Sequence, residues 1–151
     1  MTRSSSFNML LVPVDFSDDS KAAFARAIEI ATGEKPAIVL LHVIDPALPE
    51  FAEAHGLGSR EKIVGQMRSK AEFKMQEYVD ACPDGIEIDP IISEGRPFLE
   101  IIQKARDFAV DVIVMSKIGR RGKMEKLLFG STAEKVLRGS NTPVLILPPS
   151  N

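Results

Sequence analysis

An α/β fold, with helices on both faces of a five-stranded parallel sheet, is what this 151-residue sequence predicts. Three observations carry the prediction. Short apolar runs alternate with amphipathic stretches in the order β-α-β-α-β-α-β-α-β, an alternation that builds a parallel sheet in three layers. Several runs are apolar almost without interruption, as in strands buried on both faces. Apolar residues make up 44% and charged residues 26% of the chain, an ordinary globular composition, and the length suits a single domain over residues 1–151.

Met9 to Val14 is the first run, and it stops at Asp15. Ser17 follows as an N-cap, with Asp18 and Asp19 placed where a helix dipole favours acids. Phe24, Ala27, Ile28 and Ala31 then recur at helical spacing, and Gly33 is the expected C-cap. Ala37 to Ile44 is the second strand. Pro46 to Ser59 has two prolines, two glycines and no clear period, so it reads as a long loop. Ser59 to Ala81 reads as a long helix with Val64, Met67, Ala71, Met75 and Tyr78 on one face. Ile86 to Ile92 alternates with Glu87 and Asp89, as a third strand near an edge does. Gly95-Arg96-Pro97 opens a helix striped by Phe98, Ile101, Ile102, Ala105 and Ala109. Val112 to Met115 is the fourth strand. Ala133, Val136 and Leu137 mark the last helix, and Val144 to Leu147 the fifth strand.

Composition excludes several functions. A net charge of −2 gives no overall attraction to nucleic acid or to an anionic membrane. No apolar run approaches the ~20 residues that span a bilayer, and Met1 to Asn8 is polar, without a signal peptide's apolar stretch. Cys82 is the one cysteine, so no internal disulfide is possible, and a passive thiol in a reducing compartment is expected. The expected location is the cytoplasm. His42 lies in an apolar run and reads as a hydrogen-bonded core histidine. His55 reads as exposed, and the two form no metal site.

Ligands of open parallel sheets bind outside the carboxyl ends of the strands, where strand order reverses. The segment after the fourth strand is the richest in chemistry there. Between Ser116 and Thr132 it carries Lys117, Arg120, Arg121, Lys123 and Lys126 against Glu125 alone, with Gly119 and Gly122 to admit a ligand close to the backbone. Gly130-Ser131-Thr132 then opens a helix, whose free N–H groups attract anions. From these residues alone, a polyphosphate cradle and a solvated basic loop with a common helix cap fit equally well. The segment is not a Walker phosphate loop, because two residues rather than four separate Gly119 from Gly122-Lys123. The chain also lacks a Gly-x-Gly-x-x-Gly fingerprint.

Taken together, Val12-Pro13-Val14-Asp15-Phe16-Ser17, Leu40-Leu41-His42-Val43-Ile44, Glu94-Gly95-Arg96-Pro97, Gly130-Ser131 with Ala133 to Leu137, and Thr142 to Ile146 resemble the universal stress protein family over essentially the whole chain. The resemblance implies an adenine nucleotide alpha hydrolase-like sheet of order 3-2-1-4-5 and a homodimer through the last strand, Val144 to Leu147. It also implies ATP as ligand, with magnesium or manganese held through its phosphates. Residue by residue, it places Asp15 at the adenine–ribose end, Val43 beside the adenine, and Pro13 and Val14 in the same pocket. Met115, Ser116, Gly119 and Arg120 would wrap ribose and phosphates. Gly130, Ser131 and Thr132 would hold the triphosphate. Asp15 also reads as a cap of the first helix, and Val43 as plain core.

ATP-binding members of that family carry Gly, two residues, Gly, nine residues, then Gly-Ser or Gly-Thr. Aligned on the end of the fourth strand, Ser116 takes the first place here and ten residues separate Gly119 from Gly130; aligned on Gly119 and Gly122, seven residues precede Gly130. The expected function is ATP binding in regulation or stress protection, with little or no hydrolysis, because no motif positions a general base. The alternative is a dimeric interaction protein of the same fold that binds no nucleotide. A phosphoacceptor receiver domain lacks its paired acids here, since Asp15 stands alone before Phe16. A flavodoxin-like carrier lacks its hydroxyl-rich first turn.

Overall fold

A computed structural model describes residues 6–117 and 130–149. In chain order the elements are β1 (Met9–Pro13), α1 (Asp18–Ile30), β2 (Ala37–Ile44), α2 (Ala47–Ala54), α3 (Arg60–Ala81), β3 (Glu87–Glu94), α4 (Pro97–Asp107), β4 (Val112–Ser116), α5 (Ser131–Gly139) and β5 (Val144–Leu147). The strands form one parallel sheet of order β3-β2-β1-β4-β5, as the resemblance implied.

The uninterrupted apolar runs are explained by the two cores. Alternate residues of each central strand enter opposite faces. On one face Leu10, Val12, Ile38, Leu40, Val112 and Val114 pack against Phe24 and Ala27 of α1 and Met75 and Tyr78 of α3. On the other, Leu11, Val39, Leu41, Ile113 and Met115 pack against Ile101 and Ala105 of α4 and Ala133 and Val136 of α5. A strand with core on both sides has no position left for a polar side chain, and Leu10, Leu11 and Leu40 are fully buried.

β3 lies at an edge, and its residues are only part-buried or exposed. Pro90 is tolerated there because an edge strand can spare a ladder donor. The strand runs to Glu94, past the expected end at Ile92, because β2 offers pairing partners as far as Ile44.

The stretch expected to be a loop, Pro46 to Ser59, contains α2. Its prolines mislead as helix breakers. Pro46 is the N-cap and Pro49 sits in the first turn, where a missing N–H removes no intrahelical bond. Asp45 Oδ1 accepts the Ala47 amide at 2.9 Å, and Pro49 and Ala52 are buried one turn apart. At the end of α1, Ala31 rather than Gly33 is the C-cap, and Gly33 follows in the turn with φ 105°.

Candidate functional site

The order of strands reverses between β1 and β4, so the crevice beyond their carboxyl ends is left uncovered by the connecting helices. A cavity of about 540 Å³ opens there. Its lining includes Pro13, Val14, Asp15, Val43, Met115, Ser116, Gly130, Ser131 and Thr132, every expected site residue that the structure describes. Gly119 and Arg120 lie outside the described residues, as does the rest of the basic stretch from Ile118 to Phe129.

The strand tips supply one wall. Val43 is half-buried and packs against the α4–α5 core, so it is core below and cavity lining above. Asp15 follows β1, and its Oδ1 accepts Ser17 N at 3.0 Å and Ser17 Oγ at 2.5 Å. Ser17 is the N-cap of α1, taking the Ser20 amide at 3.2 Å. Asp15 therefore braces the cap without being the cap, and it lines the cavity as well.

The opposite wall is the start of α5. Gly130 is its N-cap and has no side chain to bond the first-turn amides. Those of Ser131, Thr132 and Ala133 have no carbonyl within their own helix to meet, and all three residues line the cavity. The Gly130 amide donates instead to Lys117 O at 2.8 Å, which closes the chain back onto the tip of β4.

Lys117, one of the cations of the expected basic stretch, also lines the cavity, as do residues not among the expected site residues: Ser20, Leu41, His42, Asp45, Pro97, Ile101 and Ala133. Asp45 had a usable signal, since it directly follows the carboxyl end of β2. His42 does make the expected hydrogen bond, its Nδ1–H donating to Val14 O at 2.8 Å. It is only half-buried, however, and faces the cavity at the strand tip. His55 is exposed, stacked on Phe51 at 4.1 Å.

The cavity is electrostatically polarised. Asp15 and Asp45 stand at the tips of β1 and β2, and Lys117 with the positive end of the α5 dipole at the other side. Behind Asp15, the Ser20 hydroxyl lies 3.4 Å from Tyr78 Oη. Burial raises the Tyr78 phenol above its ordinary pKa. The Ser20 bond opposes the shift, and the charge of Asp15 adds to it. Cys82, a free thiol at the end of α3, is also pushed up by burial. Among the described residues no group of three or more His, Cys, Asp or Glu is placed to hold a metal, and no helix is long and apolar enough to cross a membrane.

A family model, the universal stress protein family, matches residues 6–148. Universal stress protein MJ0577 of Methanocaldococcus jannaschii is 29% identical over 96% of this chain and 97% of its own. The solved structure of MJ0577 aligns with a TM-score of 0.85, covering 96% of this chain and 98% of that one. Universal stress protein YxiE of Bacillus subtilis is 27% identical over 93% of this chain and 99% of its own. A universal stress protein solved in complex with cAMP shares the fold, with a TM-score of 0.58 and 24% identity over 97% of this chain and all of that one.

Proposed function

This chain belongs to the universal stress protein family, and on that premise we propose that it binds ATP in the crevice between β1 and β4 and acts in regulation or stress protection. The observation that carries the reading is the cavity's division into chemically distinct walls. Pro13, Val43, Ile101 and Met115 offer an apolar slot for a purine. Asp15 suits a ribose hydroxyl or amino donor. Lys117 and the first-turn amides of α5 suit phosphate oxygens. The volume of about 540 Å³ lies within the range of roughly 300–1,000 Å³ usual for small-molecule sites.

Little or no hydrolysis is expected. No motif of the sequence positions a general base for an attacking water, and Asp15 is already bonded to Ser17. Magnesium or manganese would attach through phosphate oxygens, with Asp15 and Asp45 as the nearby carboxylates. The place of action is the cytoplasm.

The homodimer forms through β5, the second edge of the sheet. Pro143 O and Leu147 O accept the amides of Ile113 and Lys117 from β4. By alternation, the amides and carbonyls of Val144 and Ile146 face outward and can pair with another copy. Sedimentation of the purified protein should give twice the chain mass, and Ile146→Pro should shift it towards monomer. A monomeric parent would contradict the dimer.

Titration with a fluorescent ATP analogue tests the ligand, with cAMP as competitor. Saturation in the micromolar range is expected. A second reading, the dimer that binds no nucleotide, is favoured by Ser116 standing where ATP-binding relatives carry glycine. No signal at millimolar ATP, with the dimer intact, would select it.

A further inference from the structure

We infer that Phe16 and His42 form a clamp that positions the β1–α1 turn, and with it Asp15, for nucleotide binding; the inference rests on the ATP reading for its ligand. Phe16 has φ 67°, in the left-handed region that a bulky residue occupies only at an energetic cost. Its ring is held from several sides. The His42 ring lies 4.3 Å away at an interplanar angle of 30°. Lys74 Nζ stands 5.3 Å from the ring centre, and the Tyr78 ring at 6.3 Å.

His42 also fixes the backbone just before this turn. Its Nδ1–H donates to Val14 O at 2.8 Å, and the Val14 amide donates to Leu41 O at 2.8 Å. Val14 is thus bonded to two consecutive residues of β2, one position beyond the last register pair, Pro13 with Leu41. The chain leaves the sheet at a defined point, passes Asp15, and reverses at Phe16.

Folding alone does not ask for these residues. Glycine would take the left-handed turn without strain. Ile38 and Leu40, on the same face of β2 as His42, are fully buried aliphatics. A strained aromatic and a half-buried imidazole thus break the local pattern together, in contact, beside the cavity. Such breaks belong to sites where a defined geometry is required. The clamp presents Asp15 in one orientation before a ligand arrives, which spares the ligand the cost of ordering the turn.

The test is a double-mutant cycle read by ATP affinity and by tyrosine emission. Tyr78 is the sole tyrosine and the chain has no tryptophan, so its emission reports the packing around Phe16. His42→Leu should weaken ATP binding about fivefold, by loosening a preorganised contact. His42→Asn, whose amide nitrogen overlays Nδ1 and keeps the bond to Val14 O but not the ring against Phe16, should recover about half of the lost binding free energy, roughly twofold in affinity. In an Asp15→Ala background His42→Leu should add nothing, because the clamp acts through Asp15. Phe16→Leu should repeat the cycle and change Tyr78 emission, and it serves if His42→Leu does not fold. Unchanged affinity in His42→Leu and Phe16→Leu, or losses that add in full to that of Asp15→Ala, would overturn the clamp while leaving the ATP reading intact. A parent protein with no ATP signal would overturn both.

Discussion

Gly130→Val should lose about 100-fold or more in ATP affinity and keep its fold. Two charge-assisted hydrogen bonds from the α5 amides to phosphate, each worth about 1.5–3 kcal/mol, exceed the roughly 2.7 kcal/mol that 100-fold represents. Both need close approach, and an isopropyl group on the cavity wall at Gly130 prevents it. The backbone does not resist the change. Gly130 has φ −63° and ψ 149°, an extended conformation that valine adopts freely. Replacing glycine at the N-cap costs about 1 kcal/mol of helix stability. Circular dichroism should therefore show a near-parent spectrum, while calorimetric titration shows no heat of binding. Parent-like affinity would mean that phosphate does not sit at the start of α5.

Asp15→Ala should weaken ATP binding about tenfold or somewhat more, the low end of the about 1.5–3 kcal/mol that one charge-assisted hydrogen bond contributes. The variant also removes the acceptor of Ser17 N and Ser17 Oγ, so the thermal midpoint should fall modestly. Affinity and stability separate the two roles of this carboxylate. A lower midpoint with an unchanged dissociation constant would leave Asp15 only as the brace of the α1 cap.

The fold was legible where burial dictates residue type. Leu10 to Val12 and Ile38 to Leu41 are apolar throughout because each has a core on either side. The place of the cavity followed from topology, since a sheet that reverses between β1 and β4 leaves a crevice there. α2 was hidden because Pro46 and Pro49 act as breakers in a helix interior and are harmless in a first turn. The half-exposure of His42 was hidden for a different reason. Apolar neighbours along a strand identify the face a side chain joins, but not how near the strand's end it lies to an opening. Phe16 gave no sign of its left-handed backbone, because that conformation is a property of glycine and asparagine in most sequences. The groups around its ring, His42, Lys74 and Tyr78, all come from distant parts of the chain.

Amide resonances followed by two-dimensional NMR during an ATP titration address the crevice most directly. The account predicts saturable shifts at Ser131, Thr132 and Ala133 together with Asp15 and Val43, residues of three separate segments that all line the cavity. Saturable binding that moves other amides and leaves the start of α5 unperturbed would contradict it.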